Sequence, residues 1–285
     1  MNASAPAARL DHYAVLGNPV AHSQSPFIHA LFARQTGQSL EYGRRLCAFD
    51  AFQQALQDFI AEGGRGCNVT VPFKFEARRL AQRCSERALL ADAANVLRWD
   101  GDGWSAENTD GAGLMRDIEC NAAVALAGKR VLLAGAGGAA AGVLGPLLHT
   151  GPAQVVLVNR TTAKAQALAT RHGGLAAALG VQLEVKEAAD AGVAFDVAIN
   201  ATSSSLLGGA APFPASALRL GTLTLDLMYG QATEGFLHWA QSLGATPRDG
   251  LGMLVEQAAL AFEFWRGVLP ATPDVLRLLR ERVAA

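Results

Sequence analysis

From Val131 to Asn159 the chain reads VLLAGAGGAAAGVLGPLLHTGPAQVVLVN, twenty-nine residues without a formal charge, ending at Arg160. Val131 to Ala134 is an apolar run without alternation, as a strand covered on both faces requires. Gly135-Ala136-Gly137, with Ala140 three further on, matches G-x-G-x-x-A. The first glycine permits the tight turn, the second lets a pyrophosphate approach the backbone, and the small third residue lets helix and strand pack closely. Free N–H groups opening the helix then face the phosphates. Gln154 to Asn159 supplies a second strand, closing the unit within roughly 30 residues. The run is longer than the ~20 apolar residues that span a bilayer. Five glycines and Pro146 within Val131–Leu148, then Gly151-Pro152, argue against a span. The stretch predicts a soluble Rossmann-type dinucleotide core.

The end of the second strand selects the cofactor. An NAD site places Asp or Glu about 20 residues past the glycines, on the ribose 2′-hydroxyl. Here Asn159 stands twenty-four residues after Gly135, followed by Arg160 and Thr161. A neutral amide does not repel a 2′-phosphate, and an arginine can pair with it in bidentate fashion. Thr161 suits the N-cap of a helix beginning near Thr162, which places Lys164 as a second charge at the same pole. The alternative is that Arg160 and Lys164 are solvated surface charges. The pattern favours NADP.

At 285 residues, half of them apolar and 17% charged, the chain suits two domains of ordinary size and no extended disorder. A net charge of −1 leaves no basic footprint for nucleic acid. Cys47, Cys67, Cys84 and Cys120 are seventeen to thirty-six residues apart, with no CxxC and no nearby His cluster. That spacing points to no metal site and no disulfide framework, and to reduced cysteines in a cytoplasmic protein. MNASAPAARLDH has no apolar core of a signal peptide and reads as a short tail. The expected partners are a small-molecule substrate, no nucleic acid and no membrane, in a monomer or homodimer.

Outward from the glycine turn, strands are expected near residues 129–134, 154–159, 181–185, 195–200 and 222–226. Before them, Tyr13–Gly17, Leu40–Ala48 and Gly66–Val71 read as strands. Ser25-Pro26 opens a helix over Phe27–Thr36, and further helices are expected at Asp50–Ala61 and Phe73–Cys84. Ala94–Trp99 and Trp104–Glu107 read as a hairpin around Asp100-Gly101-Asp102-Gly103. Gly111–Cys120 is a helix crossing between domains. Helices over Met253–Leu269 and Asp274–Val283 are expected to pack back on the first domain. The fold class is therefore α/β. Residues 1–110 plus 251–285 form an N-terminal α/β substrate domain, and 111–250 a Rossmann-type doubly wound NADP-binding domain.

Open α/β sheets bind ligands beyond the carboxyl ends of their strands. Four polar clusters occupy such places: Ser23-Gln24-Ser25, Asn68-Val69-Thr70-Val71-Pro72-Phe73-Lys74, Asn108-Thr109-Asp110-Gly111, and Gly250-Leu251-Gly252-Met253 with Gln257 a turn later. Taken singly, each admits a plainer reading. Ser25 can cap the first helix and Asp110 the crossing helix; Lys74 can be a solvated helix residue. Asn68 and Thr70 can end a strand, Asn95 can belong to a turn, and Gln257 and Tyr229 can belong to a core.

GNPVAHSQSPFIH, GCNVTVPFK, ENTDGAG, GAGGAA, VNRTTAKA, NATSS and DGLGMLVEQAA, in this order and spacing, resemble the signature blocks of the shikimate dehydrogenase family over about Tyr13 to Val268. The resemblance implies reversible NADP-dependent reduction of 3-dehydroshikimate to shikimate, in aromatic amino acid biosynthesis. It implies Lys74 and Asp110 as the catalytic pair. It places Ser23, Ser25, Asn68, Thr70, Asn95, Tyr229 and Gln257 on the substrate. It sets Gly135, Ala136, Gly137, Gly138, Ala139, Asn159, Arg160, Thr161, Lys164, Thr202, Met228, Gly250 and Met253 around NADP. Hydride reduction of a ketone leaves charge on its oxygen, which needs a proton donor within hydrogen-bond reach; Lys74 can supply it and Asp110 can orient the ammonium. His22 reads as structural beside that pair.

Three positions depart from the family pattern. Val96 stands where threonine is usual, Ala141 where a basic residue is common, and Ser205 where glycine is usual. These lead us to expect tuned affinity and retained activity. Rival readings are an NAD-dependent quinate/shikimate dehydrogenase, a non-catalytic ligand-sensing homologue, and a Rossmann methyltransferase. Paired Ser23 and Ser25 with Asn159-Arg160 argue against the first. The retained Lys74 and Asp110 argue against the second, and Asn159-Arg160-Thr161 against the third.

Overall fold

A computed structural model describes residues 10–205 and 209–284. Of the expected tail, residues 1–9 lie outside the described residues, and Asp11 and His12 belong instead to the first strand. In chain order the first half holds β1 (Asp11–Gly17), α1 (Ser25–Thr36), β2 (Leu40–Leu46), α2 (Phe52–Ala61), β3 (Gly64–Val69), α3 (Lys74–Leu80), β4 (Arg83–Cys84), α4 (Glu86–Ala91), β5 (Val96–Trp99) and β6 (Trp104–Glu107). The crossing helix α5 (Asp110–Arg116) runs into a π-helical turn at Asp117–Asn121. There follow β7 (Arg130–Ala134), α6 (Gly138–His149), β8 (Gln154–Val158), α7 (Thr162–Ala178), β9 (Gln182–Lys186), β10 (Val197–Asn200), β11 (Leu223–Asp226), α8 (Glu234–Ser242), β12 (Thr246–Arg248), α9 (Leu251–Arg266) and α10 (Pro273–Ala284).

The second sheet runs β12-β11-β10-β7-β8-β9, with all neighbours parallel. This is the doubly wound order, whose direction reverses between β7 and β10. The crevice beyond the carboxyl ends at that switch point is where such sheets bind ligands. Val131, Leu132, Leu133 and Ala134 are fully buried, as expected of a strand covered by helices on both faces. The first sheet runs β2-β1-β3-β5-β6-β4 and is mixed: β1 is parallel to β2 and β3, while β5 is antiparallel to β3 and β6.

Several elements differ from expectation. Phe73–Cys84 is not one helix: α3 stops at Leu80, and Arg83–Cys84 joins the sheet beside β6. Ser85 then caps the unexpected α4, its hydroxyl accepting from Ala88 N at 3.1 Å. The short β12 was hidden by Pro247, which its place at the sheet edge tolerates. Gln24, not Ser25, holds the cap position of α1, with Ser25 the first helical residue.

The last two helices pack on the first half. Ile28 and Phe32 of α1 share a core with Val255, Ala258 and Phe262 of α9 and Val275 and Leu279 of α10. Close packing around α5 joins the halves. Pro146 has no N–H to give the Gly142 carbonyl, and Gly111 of α5 lies against that oxygen, where a Cβ would sit 2.3 Å away. Gly113 lies as tightly on Gln257 of α9. Among the described residues no helix is long and apolar enough to cross a membrane, and no group of three His, Cys, Asp or Glu is placed to hold a metal.

Candidate active site

The close packing of α5 fixes the start of that helix, and its first residue is Asp110. One carboxylate oxygen of Asp110 accepts from Lys74 Nζ at 2.6 Å. Lys74 is the first residue of α3. The pair is largely withdrawn from water, with side-chain exposures of 14% for Lys74 and 6% for Asp110. The other oxygen of Asp110 accepts from Asn95 Nδ2 at 2.9 Å. Asn95 Nδ2 also reaches Thr109 Oγ1 at 2.9 Å and Gln257 Oε1 at 3.0 Å, while Asn95 Oδ1 accepts from Thr109 N at 2.8 Å. A single buried amide thus ties the acid to α9. Asp110 does not act as a helix cap; Thr109 holds that position without a side-chain bond.

Asn68, at the end of β3, donates to the Asn95 carbonyl at 3.3 Å and accepts from the Tyr42 hydroxyl at 2.6 Å. Burial raises Tyr42 well above the ordinary tyrosine value, with the Ser25 side chain and Arg44 acting the other way, so its hydroxyl stays a donor. His29 stacks on the Tyr42 ring at 4.3 Å between centroids. Its fully buried imidazole has no partner in hydrogen-bond geometry among the described residues. Burial lowers its pKa to about 3, with Asn68 acting the other way; the ring is neutral at pH 7. Ser23 donates to Ser25 Oγ at 3.2 Å at the start of α1. Tyr229 packs beside α1 and α9, its pKa raised by burial and lowered in part by the Gln24 backbone. Thr70 follows Asn68 with its methyl against Gly17.

The glycine turn opens directly onto this pair. A Cβ on Gly138 would lie 3.2 Å from Lys74 Cβ. Gly135 holds φ +122°, where a side chain is strained, and space is open at Gly137. Those features, with Ala136 before the first turn of α6 and Ala139 within it, suit a dinucleotide pyrophosphate. Asn159 Nδ2 donates to Thr161 O at 2.8 Å, closing the turn after β8. Thr161 sits at the cap of α7 without the expected side-chain bond. Arg160 and Lys164 are exposed there and make no ion pair among the described residues, so both charges are available to a 2′-phosphate.

Thr202, after β10, donates to Asn200 Oδ1 at 2.7 Å. Met228 N donates to Asp226 at 2.9 Å, Gly250 N donates to Met228 O at 2.8 Å, and Met253 is buried against the nucleotide core. The Ser205 hydroxyl donates to Asp226, which Asn200 also reaches at 3.1 Å. Burial raises the Asp226 pKa. Val96 and Ala141 are both packed in cores, so Ala141 presents no donor to a phosphate.

The site therefore brings together Lys74, Asp110, Asn95, Asn68 and Gln257 by direct bonds, with Ser23, Ser25 and Tyr229 at its α1 end. Arg160 and Lys164 stand apart, at the carboxyl end of β8. Sequence reading missed Tyr42 and Asp226. Nothing local marks Tyr42, whose place in an alternating strand reads as core. The lone charge in the stretch Leu223–Met228 was a usable signal for Asp226.

Known families match in three blocks. Residues 15–97 match the shikimate dehydrogenase substrate binding domain, 119–207 the shikimate / quinate 5-dehydrogenase family, and 250–280 the shikimate 5'-dehydrogenase C-terminal domain. A shikimate dehydrogenase (NADP(+)) of Acidovorax sp. (strain JS42) is 59% identical, covering 98% of this chain and 99% of its own. Another, of Methylibium petroleiphilum, is 57% identical over 98% of this chain and 97% of its own. The crystal structure of shikimate 5-dehydrogenase from Thermus thermophilus, in complex with NADP(H) and shikimate, superposes with a TM-score of 0.81. It is 29% identical and the match covers 95% of this chain and 99% of that one.

Proposed function

This chain belongs to the shikimate dehydrogenase family, and we propose that within it Lys74 and Asp110 form the catalytic acid–base pair. The activity is the reversible NADP-dependent reduction of 3-dehydroshikimate to shikimate, a step of aromatic amino acid biosynthesis. The observation that carries the pair is their 2.6 Å contact beside the glycine turn. When bound, the nicotinamide supplies the hydride in reduction and accepts it in oxidation. Lys74 protonates the substrate oxygen as charge develops there, and takes that proton back in the reverse direction. Asp110 holds the ammonium in place and accepts from a neighbouring substrate hydroxyl.

In this reading Ser23, Ser25 and Tyr229 hold the substrate carboxylate, while Asn68, Thr70, Asn95 and Gln257 hold its ring oxygens. A site of such groups rejects analogues that leave them unpaired. Gly135 to Ala139 and the α6 amides hold the pyrophosphate. Asn159, Arg160, Thr161 and Lys164 read the 2′-phosphate, and Thr202, Met228, Gly250 and Met253 line the nicotinamide side. Residues 1–110 with 251–285 form the catalytic domain and 111–250 the NADP domain; the shared core of α1, α9 and α10 supports that division. The four free cysteines support a cytoplasmic location, and a monomer or homodimer is the expected assembly.

The test is turnover of shikimate and quinate with NADP and with NAD, followed by nicotinamide absorbance. Shikimate with NADP should be the fastest pair. Faster quinate oxidation with NAD would overturn the reading.

A further inference from the structure

We propose that Arg44 is a specificity-determining residue that supplies the positive charge for the substrate's carboxylate. The inference rests on the reading of Ser23 and Ser25 as ligands of that carboxylate. Tyr42 and Arg44 lie two residues apart on β2, so both side chains leave the same face of the strand. Tyr42 enters the amide network. Arg44, one step nearer the carboxyl end, reaches the turn before α1, where its Nε and Nη2 both donate to the Ser23 carbonyl, at 3.0 and 2.6 Å.

That chelation fixes the plane of an otherwise flexible guanidinium. The remaining amino group, Nη1, has no partner among the described residues and is left for a ligand. The same turn carries the Ser23 hydroxyl, bonded to Ser25 Oγ and approached by Ser25 N at 3.3 Å. The charge of Arg44 is felt by both phenols at this place, where it opposes the upward pull of burial on Tyr42 and Tyr229.

Hydroxyls alone leave a carboxylate's charge unbalanced. Two serines and a tyrosine donate hydrogen bonds but carry no positive charge, and Lys74 is already engaged by Asp110. The amino end of α1 favours an anion: the helix runs twelve residues, with no acidic residue in its first turn and no side-chain cap at Gln24. Arg282 also approaches this turn, but its Nε donates to Gln24 Oε1 and its guanidinium covers the Phe27 ring. Arg44 is thus the cation positioned to complete the set. It is exposed, so it acts at the pocket mouth, attracting and retaining an anionic substrate.

The test compares wild type with Arg44→Gln, Arg44→Lys and Ser23→Ala, measuring the calorimetric Kd and the steady-state KM for shikimate and for its methyl ester. Glutamine keeps a donor for the Ser23 carbonyl and removes the charge. Arg44→Gln should weaken shikimate about threefold to tenfold, on Kd and KM and not on kcat, with Arg44→Lys in between. The uncharged ester should bind wild type and Arg44→Gln alike. Raising salt from about 0.05 M to about 0.5 M should weaken shikimate binding to wild type and scarcely affect the glutamine variant.

An unchanged shikimate Kd in Arg44→Gln overturns the inference, as does an equal loss for acid and ester, which would mean that Arg44 only props the turn. Ser23→Ala separates the role of the serines from that of Arg44. If it leaves shikimate binding intact, the carboxylate reading itself is wrong. If it weakens binding while Arg44→Gln does not, only the role given to Arg44 falls.

Discussion

Lys74, Asp110, Asn95 and Gln257 are bonded to one another, whereas at the carboxyl end of β8 Arg160 and Lys164 stand in solvent with no ion pair among the described residues. The contrast follows from what each side must do. In the proposed assignment Lys74 has to meet one oxygen in one geometry; Asp110 contacts its ammonium, and Asn95 and, through it, Gln257 hold Asp110. A phosphate can be recognised by charge over a wider range of positions, and the two exposed cations lie just before α7 (Arg160) and in its first turn (Lys164). The substrate half should therefore respond to substitution through kcat and stability, and the cofactor half through the choice of nucleotide.

The largest effect should come from the preorganised side. Asp110→Asn leaves the shape of the site but takes away the charge that orients the Lys74 ammonium, and kcat should fall ~10²–10⁴-fold; near-normal turnover would show that the pair is only structural. On the other side, Arg160→Ala should raise KM for NADP roughly 10- to 100-fold, the scale of a charge-assisted bond, with KM for NAD little changed. Equal losses with both nucleotides would erase the contrast.

Burial also gives the substrate half a pH signature. His29 has a pKa of about 3 in the folded protein, depressed by burial, and near 6.5 in the unfolded chain. Its contribution is complete above about pH 6.5 and is lost as pH falls, because the unfolded state gains the proton first. By about pH 5 urea unfolding should register a loss of about 2 kcal/mol from this residue, and a His29→Leu variant should lack that component. A variant with an unchanged acid slope would contradict the assignment. The smallest effect expected is that of Tyr42→Phe. Without the hydroxyl, Asn68 Oδ1 loses its partner and the amide is free to turn, so KM for shikimate should rise roughly threefold to tenfold while kcat holds.

The same contrast explains what the sequence revealed. The nucleotide half was legible almost strand by strand, because β7, the glycine turn, α6 and β8 are adjacent in the chain and each carries a local signal. In the first half the residue types were visible at Ser23, Asn68, Lys74 and Asp110, but their meeting depends on pairs far apart in sequence, such as Asn95 with Gln257. Resemblance, more than spacing, joined them. Tyr42 escaped because a tyrosine on an alternating strand is ordinary core until its hydroxyl is seen on Asn68. The break of the expected Phe73–Cys84 helix escaped because the pairing of Arg83–Cys84 with β6 is a tertiary event that local helix propensity does not report.

We propose that the ammonium of Lys74, beside the glycine turn, delivers the proton that accompanies hydride transfer. The most direct test is Lys74→Ala, with NADP affinity measured by fluorescence titration and kcat by nicotinamide absorbance on the same preparation. NADP affinity should be nearly unchanged and kcat lower by ~10²–10⁴-fold. A folded, NADP-binding variant that keeps most of the wild-type turnover would contradict it.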